Sequence, residues 1–454
     1  MIFPARAFLG PHDLRASGFE LTRPRFSFVG CMSAAPALVP YRRPLAYRLT
    51  WATCWLAERL GATVPLERAA IERRALDITG RSGFLGSAYR EPLDTLLHSL
   101  HADARLSPLG RNGAMLTLAR QLVTRLCMEE VWGAAAPGPG DLLRPARPPV
   151  FIVGMHRTGT TLLHRLMAAD PAARPLLYWE SAYPLMVPIK KPGNRSASVR
   201  RENAIDEVKM AKRLAPYLVG IHDTDPTGAE ECHWMTMASL ITHAFPMQWR
   251  ADGYRDWLER RTESDWDRAY GEHLALLHLL DGGMTDRHWV LKCPLHAPRL
   301  ATLAKLLPTA IFVQTYRDIR EVAGSLCSLT MAMRSVFSDT WDPGEDGRDV
   351  AHALARDTRA AVHAAEQYPS RVIHVHYSSL VKDPINTVRR IYERAGLAWD
   401  AATGDAVQRC LADNPRSRHA PHRYGLADFG LTESTLLEAC PEYVATERHL
   451  AASE

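Results

Sequence analysis

The sequence predicts an α/β fold in which helices cover both faces of a central parallel sheet. Four short apolar runs are each followed by a helical pattern, and they lie at residues 149–154, 288–293, 310–316 and 371–377. Apolar strands that alternate with helices are typical of a parallel sheet buried on both faces. A weaker apolar run at 176–179 predicts one more strand. Ligands of such sheets bind beyond the carboxyl ends of the strands, where we therefore expect functional residues.

The first strand leads into the most informative stretch of the chain, PVFIVGMHRTGTTLLHRLM at residues 149–167. The loop from Gly154 to Gly159 and the following Thr160 and Thr161 have the G-x-x-x-x-G frame of a phosphate loop, with Thr160 in place of its lysine. Helix-start amides and the helix dipole favour an anion there, and Arg157 adds a full positive charge. The stretch predicts an anion site in a P-loop-like, three-layer fold. The alternative is a strand, turn and helix in which the glycines serve only the turn and no ligand binds.

The composition limits the class of protein. The chain has 454 residues and 46% hydrophobic content, enough for one large and one smaller domain. Its net charge of +5, from 55 basic and 50 acidic residues, is too balanced for a nucleic-acid-binding surface. No apolar run reaches the roughly 18 residues of a membrane span, and residues 1–30 lack a signal pattern. We therefore expect a soluble, cytoplasmic protein with no nucleic-acid partner and no integral membrane segment.

The eight cysteines are dispersed and include no C-x-x-C pair. This spacing argues against a zinc site and against a disulfide scaffold, and it favours buried thiols in a reducing compartment. Cys232 and His233 are neighbours, but no second pair of this kind completes a set of metal ligands.

The organisation of the chain follows from its local patterns. Residues 1–45 are rich in proline and are expected to be an irregular N-terminal segment. Residues 46–147 show helical spacing and end in a linker rich in Pro, Gly and Ala. Residues 148–454 form the predicted α/β domain, in which 181–287 carry no strand signal and are expected to be a helical insert that covers the site.

A second anion site is predicted where the run IFVQTYRDIREVAGSLCSL passes from strand to helix. This run places Arg317 at the strand end and Ser325 two turns into the helix, an arrangement in which both side chains can face one anion. The alternative is a surface arginine without a ligand, which is the commoner environment for this residue type.

These motifs carry a resemblance to a known family. GMHRTGTTLLHRLM and YRDIREVAGSL, followed by HYSSLVKDPINTVRRIYERAGL, resemble the sulfotransferases, in particular a bacterial branch that shares features with tyrosylprotein sulfotransferases. The resemblance implies 3′-phosphoadenylyl sulfate (PAPS) as the donor. It implies that the loop holds the 5′-phosphosulfate, that an arginine and a serine hold the 3′-phosphate, that a tyrosine lies near the adenine, and that a C-terminal basic loop closes over the donor. The matching residues are Arg157, Thr158, Gly159, Thr160 and Thr161, then Arg317 with Ser325, then Tyr377, and then Arg418.

The resemblance also implies catalytic roles for Arg157, for Lys292 on the bridging oxygen and leaving group, and for Glu180 as the base. The alternative for Glu180 is an acid paired with a nearby arginine. Sulfuryl transfer moves a singly charged group, so an arginine, hydroxyls and loop amides can balance the developing charge, and no metal is expected. An attacking hydroxyl must also lose its proton.

Other residues are candidates for the base, and the sequence leaves the choice among them open. Each has a structural alternative, such as an acid at a helix start or a histidine that caps a helix. They are Glu230, Glu231, His233, His296 and His156.

The expected acceptor is a hydroxyl on a small hydrophobic molecule, lipid-like or phenolic, because the insert is rich in Met and aromatic residues. The same residues are alternatively the core of the insert. An ATP-dependent kinase is a second hypothesis, disfavoured because Thr160 replaces the lysine and no acidic strand end pairs with Thr161. A non-catalytic nucleotide-binding protein of the same fold is a third.

Overall fold

The structure is a computed structural model, and it describes residues 42–135, 137–138, 140–185, 197–221, 224–282, 286–413 and 425–453. Almost all of the predicted irregular segment at 1–45 lies outside these ranges. The helical region expected at 46–147 contains four helices, α1 Leu45–Arg59, α2 Arg68–Thr79, α3 Arg90–Ala102 and α4 Pro108–Trp132.

The α/β part begins at the first predicted strand. Its first elements are β1 Val150–Ile152, α5 Thr160–Ala168, β2 Ala173–Pro175 and α6 Tyr178–Ala182. The expected insert follows and is helical where it is described. It comprises α7 Ala197–Leu214, α8 Tyr217–Ile221, α9 His233–Thr236, α10 Ala244–Gln248, α11 Asp252–Glu259 and α12 Glu263–Asp281.

The remaining strands each lead into helices. They form the series β3 His288–Lys292, a 3₁₀ helix Pro294–Arg299, α13 Leu300–Leu306, β4 Ile311–Tyr316, α14 Ile319–Phe337, α15 Pro343–Gln367, β5 Val372–His376, α16 Tyr377–Lys382, α17 Pro384–Ala395 and α18 Ala401–Asp413. The chain ends with a 3₁₀ helix Leu426–Phe429, α19 Glu433–Ala439 and α20 Pro441–Ala452.

The five strands form one parallel sheet in the order β2-β3-β1-β4-β5, as the α/β prediction required. Both faces of β1 are buried. Phe151 belongs to the larger apolar core, whereas Val150 and Ile152 pack on the other face with Val290 and Val313. Apolar residues at every position of a strand are what burial on both faces demands.

The weak strand was predicted in the wrong place. The edge strand is β2 at 173–175, and the run predicted at 176–179 instead leads into α6. Pro175 ends β2, and a proline is tolerated in an edge strand because one side of that strand has no hydrogen-bonded neighbour. Glu180 therefore lies in a short helix rather than at a strand end.

The register of the sheet sets which residues meet at its carboxyl edge. Ile152, the last residue of β1, is opposite Lys292 in β3 and Val313 in β4. Tyr316, at the end of β4, is opposite His376 at the end of β5. The residues that follow these pairs are consequently neighbours, and they include the loop after β1 together with Arg317 and Tyr377.

Candidate active site

The loop after β1 depends on two glycines. A Cβ on Gly154 would lie 1.9 Å from Thr315 Oγ1 and 2.7 Å from the Thr315 nitrogen, so only glycine lets the loop leave β1 beside β4. Gly159, at the start of α5, has a φ of 90°, and Arg157 has a φ of 71°. A positive φ is unfavourable for arginine, and such strain is concentrated at functional sites.

Thr158 lies under the loop rather than on its outer surface. Its side chain is fully buried, and its hydroxyl donates to the Met155 carbonyl at 2.6 Å while bonding to the Thr315 hydroxyl. These bonds tie the loop to β4. The Thr158 side chain therefore acts on the shape of the loop, whereas Thr160 and Thr161 stand at the start of α5.

Arg157 links the loop to the second predicted anion site. Its Nε donates to Ser325 Oγ at 2.7 Å, and one terminal nitrogen donates to the Ile221 carbonyl of α8 at 3.1 Å. Arg317 in turn donates to the Arg157 carbonyl at 3.0 Å. The loop, the insert and the arginine–serine pair of β4 and α14 thus form one cluster.

Tyr377 completes this side of the cluster. The Arg317 guanidinium carbon lies 4.3 Å from the centre of the Tyr377 ring, a cation–π contact. A Cβ on Gly159 would lie 3.0 Å from the same ring, so the start of α5 passes directly against it. Tyr443 of α20 fixes the backbone of Arg317, because its hydroxyl bonds to both the nitrogen and the oxygen of that residue at 3.1 Å.

Lys292 and Glu231 form a buried ion pair on the other side of the loop. The Lys292 side chain is 2% exposed and donates to Glu231 Oε1, while His233 Nδ1 lies 3.7 Å from Glu231 Oε2. Burial alone would raise the pKa of Glu231, but Lys292 and His233 hold it well below its usual value. His156 of the loop also lowers the pKa of Glu231. Glu231 is thus held as a carboxylate and serves as the counter-ion of Lys292.

His164 faces this ion pair from α5. Its Nε2 lies 3.2 Å from the Val290 carbonyl. Burial and the charge of Lys292 lower the pKa of His164 to about 4, so its imidazole is neutral near pH 7. Sequence reasoning missed His164, because a histidine inside an amphipathic helix gives no signal of its own.

Glu180 is engaged in a structural contact. Its two carboxylate oxygens accept hydrogen bonds from Arg174 at 2.7 and 2.8 Å, and one of them also accepts the Leu177 amide at 3.0 Å. The Arg174 guanidinium stacks on Trp289 at 4.6 Å. This is the alternative interpretation of Glu180, an acid paired with an arginine, and it does not support the expected role as the base.

Glu230 is one of two acids, with Asp225, that line a cleft beside the loop. A cleft of about 510 Å³ is lined by residues of α5, β2, β3 and the insert, among them Thr161, His164, Glu230 and Lys292. Glu230 Oε1 accepts the Glu231 amide at 2.8 Å, which orients the carboxylate, and Glu230 is 5% exposed. The cleft therefore brings a carboxylate, an ammonium group and the start of α5 together.

The other predicted residues have different positions. His296 is fully buried in the 3₁₀ helix after β3. Arg418, expected in the C-terminal basic loop, lies outside the residues that the structure describes. Five residues of the insert that were expected to line an acceptor site are at most 3% exposed and belong to its core, namely Trp234, Met235, Met237, Phe245 and Trp249.

The fold and the site define an α/β transferase of the phosphate-loop type. Residues 148–401 match the sulfotransferase family, and the chain belongs to that family. It is accordingly a sulfotransferase. Among the described helices, none combines the length and the apolar character that crossing a membrane requires.

Mycobacterial relatives agree with this assignment. The structure resembles the crystal structure of the sulfotransferase STF1 from Mycobacterium tuberculosis H37Rv, with a TM-score of 0.69 and 29% identity, covering 82% of this chain and 98% of the other. The crystal structure of the sulfotransferase STF9 from Mycobacterium avium is similar with a TM-score of 0.72 and 25% identity, and the match covers 84% of this chain and 96% of the other. In sequence, the chain is 26% identical over 280 residues to the omega-hydroxy-beta-dihydromenaquinone-9 sulfotransferase Stf3 of Mycobacterium bovis, covering 59% of this chain and 68% of the relative.

Proposed function

We propose that the protein transfers the sulfuryl group of PAPS to a hydroxyl of a small hydrophobic molecule. The observation that carries this proposal is the direct contact between the two predicted anion sites, in which Arg157 bonds to Ser325 and Arg317 bonds to Arg157. A single adenylate with phosphate at one end and phosphosulfate at the other fits a continuous cluster of this kind. Membership of the sulfotransferase family supports the same donor.

In this proposal, Arg317 and Ser325 bind the 3′-phosphate, and Tyr377 lies beside the adenine. The loop amides, Thr160 and Thr161 bind the 5′-phosphosulfate at the start of α5, where the helix dipole favours negative charge. Arg157 exchanges its contacts with Ser325 and the Ile221 carbonyl for the donor. Because Ile221 belongs to the insert, donor binding and the position of the insert are then coupled.

The sulfuryl group faces the cleft that holds Lys292 and Glu230. The acceptor oxygen attacks the sulfur, and the bond from sulfur to the phosphate oxygen breaks. The acceptor proton passes to the Glu230 carboxylate, while Arg157 and Lys292 neutralise the charge that develops on the leaving bisphosphate. Glu230 is preferred as the base because it lines this cleft together with Lys292, whereas Glu180 and Glu231 are not among the residues that line it.

The class of acceptor follows from the cleft and from a relative. Apolar side chains of Ala168, Ala169, Pro175 and Leu177 line the cleft beside Glu230. The name of the M. bovis relative gives an omega-hydroxylated dihydromenaquinone as its acceptor, a hydroxyl on a hydrophobic molecule. We extend that class, though not that compound, to this chain.

Donor binding is tested by thermal shift with the full chain. Adenosine 3′,5′-bisphosphate at 100 times its Kd is expected to raise the Tm by about 3 °C without added magnesium, because it binds only the folded state. ATP with magnesium is expected to raise it by less. A larger Tm shift with ATP and magnesium would favour a kinase. Turnover is tested separately by transfer of label from ³⁵S-labelled PAPS to a panel of hydrophobic alcohols and phenols.

The choice of base is tested by a matched pair of variants. Glu230→Gln is expected to lower kcat by about 100-fold or more, since the group that takes the proton is lost. Glu180→Gln is expected to leave kcat within about tenfold while lowering stability by about 1–3 kcal/mol, because it weakens a buried, charge-assisted contact. Transfer rates and urea midpoints of both variants are measured together. If Glu180→Gln loses the rate and Glu230→Gln keeps it, the base is Glu180.

A further inference from the structure

Three side chains that the transfer reaction does not use converge beneath the site. Cys232 precedes α9, His273 lies in α12, and His296 lies in the 3₁₀ helix after β3. One potential ligand atom from each lies within 4.8 Å of the other two. All three residues are at most 1% exposed, so the cluster is buried.

The histidine nitrogens of this cluster lack the partners that buried polar groups normally have. Within the part of the chain that the structure describes, neither ring nitrogen of His273 has a hydrogen-bond partner, and neither has His296 Nε2. Burying such groups without a partner costs free energy, and each instance in a native fold needs an explanation. Three such nitrogens in adjacent rings, next to a thiol, indicate something bound between them.

The surroundings of His296 match those of a metal ligand. Its Nδ1 lies 3.1 Å from the Tyr270 hydroxyl. Histidines that bind a metal through one nitrogen usually donate the other N–H to a fixed partner, which sets the tautomer and aims the free lone pair. A bond from Nδ1–H to Tyr270 leaves the lone pair of Nε2 directed away from Tyr270, as coordination requires.

From this geometry we propose that Cys232, His273 and His296 bind one zinc ion. A thiolate and two imidazoles are a soft ligand set that suits zinc and does not suit magnesium or calcium. Ligand atoms of a tetrahedral zinc lie about 3.3–3.6 Å apart, so the three atoms, which lie within 4.8 Å of one another, need to approach by no more than roughly 1.5 Å. Zinc binding replaces the thiol proton of Cys232, which is released to solvent.

The position of the cluster gives the zinc a structural role. Cys232 directly follows Glu231, and its amide donates to the Lys292 carbonyl at 3.2 Å. A zinc ion there would hold the start of α9, α12 and the segment after β3 together, immediately behind the Lys292–Glu231 pair. This inference does not depend on which group the enzyme transfers. The sequence argued against a zinc site, because the three residues are single and far apart in the chain.

Metal analysis of the purified full chain tests the proposal. After loading with zinc and removal of loosely bound metal, we expect about one zinc per chain, and cobalt in its place should give the thiolate-to-metal charge-transfer band of a Cys-ligated site. Cys232→Ser and His273→Gln are expected to lower the bound zinc at least about tenfold. Chelation should lower the Tm of the wild-type chain by several degrees and leave that of the variants unchanged.

Matched controls keep the result interpretable. His243→Gln removes another buried histidine with an unpartnered Nε2, and Cys293→Ser removes another buried thiol, and neither residue belongs to the cluster. Both controls should retain the zinc, and circular dichroism checks that every variant is folded. The cobalt spectrum needs only the wild-type chain, so it tests the site even if a variant fails to fold. Zinc far below one equivalent, no charge-transfer band, or copper or iron in preference to zinc would each overturn the proposal.

Discussion

Arg157→Ala is expected to lower kcat for sulfuryl transfer by about 10³- to 10⁵-fold, the effect of losing an arginine that stabilises a transferring oxyanion group. Arg157 is the cation in the loop that contacts both Ser325 and the insert. Its planar fork can bridge two oxygens of the phosphosulfate, which the single ammonium group of Arg157→Lys cannot do, so we expect that variant to remain at least about 100-fold impaired. Initial rates with labelled PAPS measure both effects.

The backbone of Arg157 provides an internal control for this variant. Its φ of 71° costs any L-residue other than glycine roughly 1–2 kcal/mol, so Arg157→Gly should be more stable than Arg157→Ala by about that amount. Both should be equally inactive, because both lack the guanidinium. Arg320→Ala removes an exposed arginine at the start of α14 that pairs with Asp318 and Glu433, and its rate should stay within about twofold of wild type. Equal losses of rate in Arg157→Ala and Arg320→Ala would contradict a specific role for Arg157.

The proposed donor side of the site was predictable because it depends on strand ends. An apolar run indicates where a strand ends, and the carboxyl ends of parallel strands lie at one edge of the sheet. We therefore expected Arg317, Ser325 and the loop to be neighbours. The structure brings them together through the contacts of Arg157 with Ser325 and with Arg317. The role of the two loop glycines was also predictable. A side chain would clash at Gly154, and the positive φ of Gly159 would be unfavourable for another residue.

The proposed acceptor side was less predictable because it depends on tertiary pairing. The sequence contained Glu180, Glu230 and Glu231, but it did not show that Glu180 pairs with Arg174 or that Glu231 pairs with Lys292. Periodicity reports which face of an element is buried, and it carries no information about which acid meets which base. The aromatic residues of the insert were ambiguous for a related reason, because core residues and ligand-binding residues have the same composition.

Lys292→Met is expected to lower both the stability and the rate, and a double variant separates the two effects. Replacing Lys292 alone leaves the Glu231 carboxylate buried without its partner, which typically costs about 3–5 kcal/mol. Glu231→Gln alone likewise leaves the Lys292 ammonium group buried without its carboxylate partner. Replacing both removes the charge pair as a whole, and exchanges of this kind are often neutral, so the urea midpoint should return most of the way to the wild-type value.

The rate should not recover with the stability. If Lys292 neutralises the leaving bisphosphate, both Lys292→Met and Lys292→Met/Glu231→Gln should have kcat lowered by about 100-fold or more, because neither has the cation. If Lys292 serves only as the counter-ion of Glu231, the double variant should regain the rate together with the stability. Comparing the single and double variants therefore distinguishes a catalytic lysine from a structural one. The rate recovers on removal of Glu231 only if the role of Lys292 is structural.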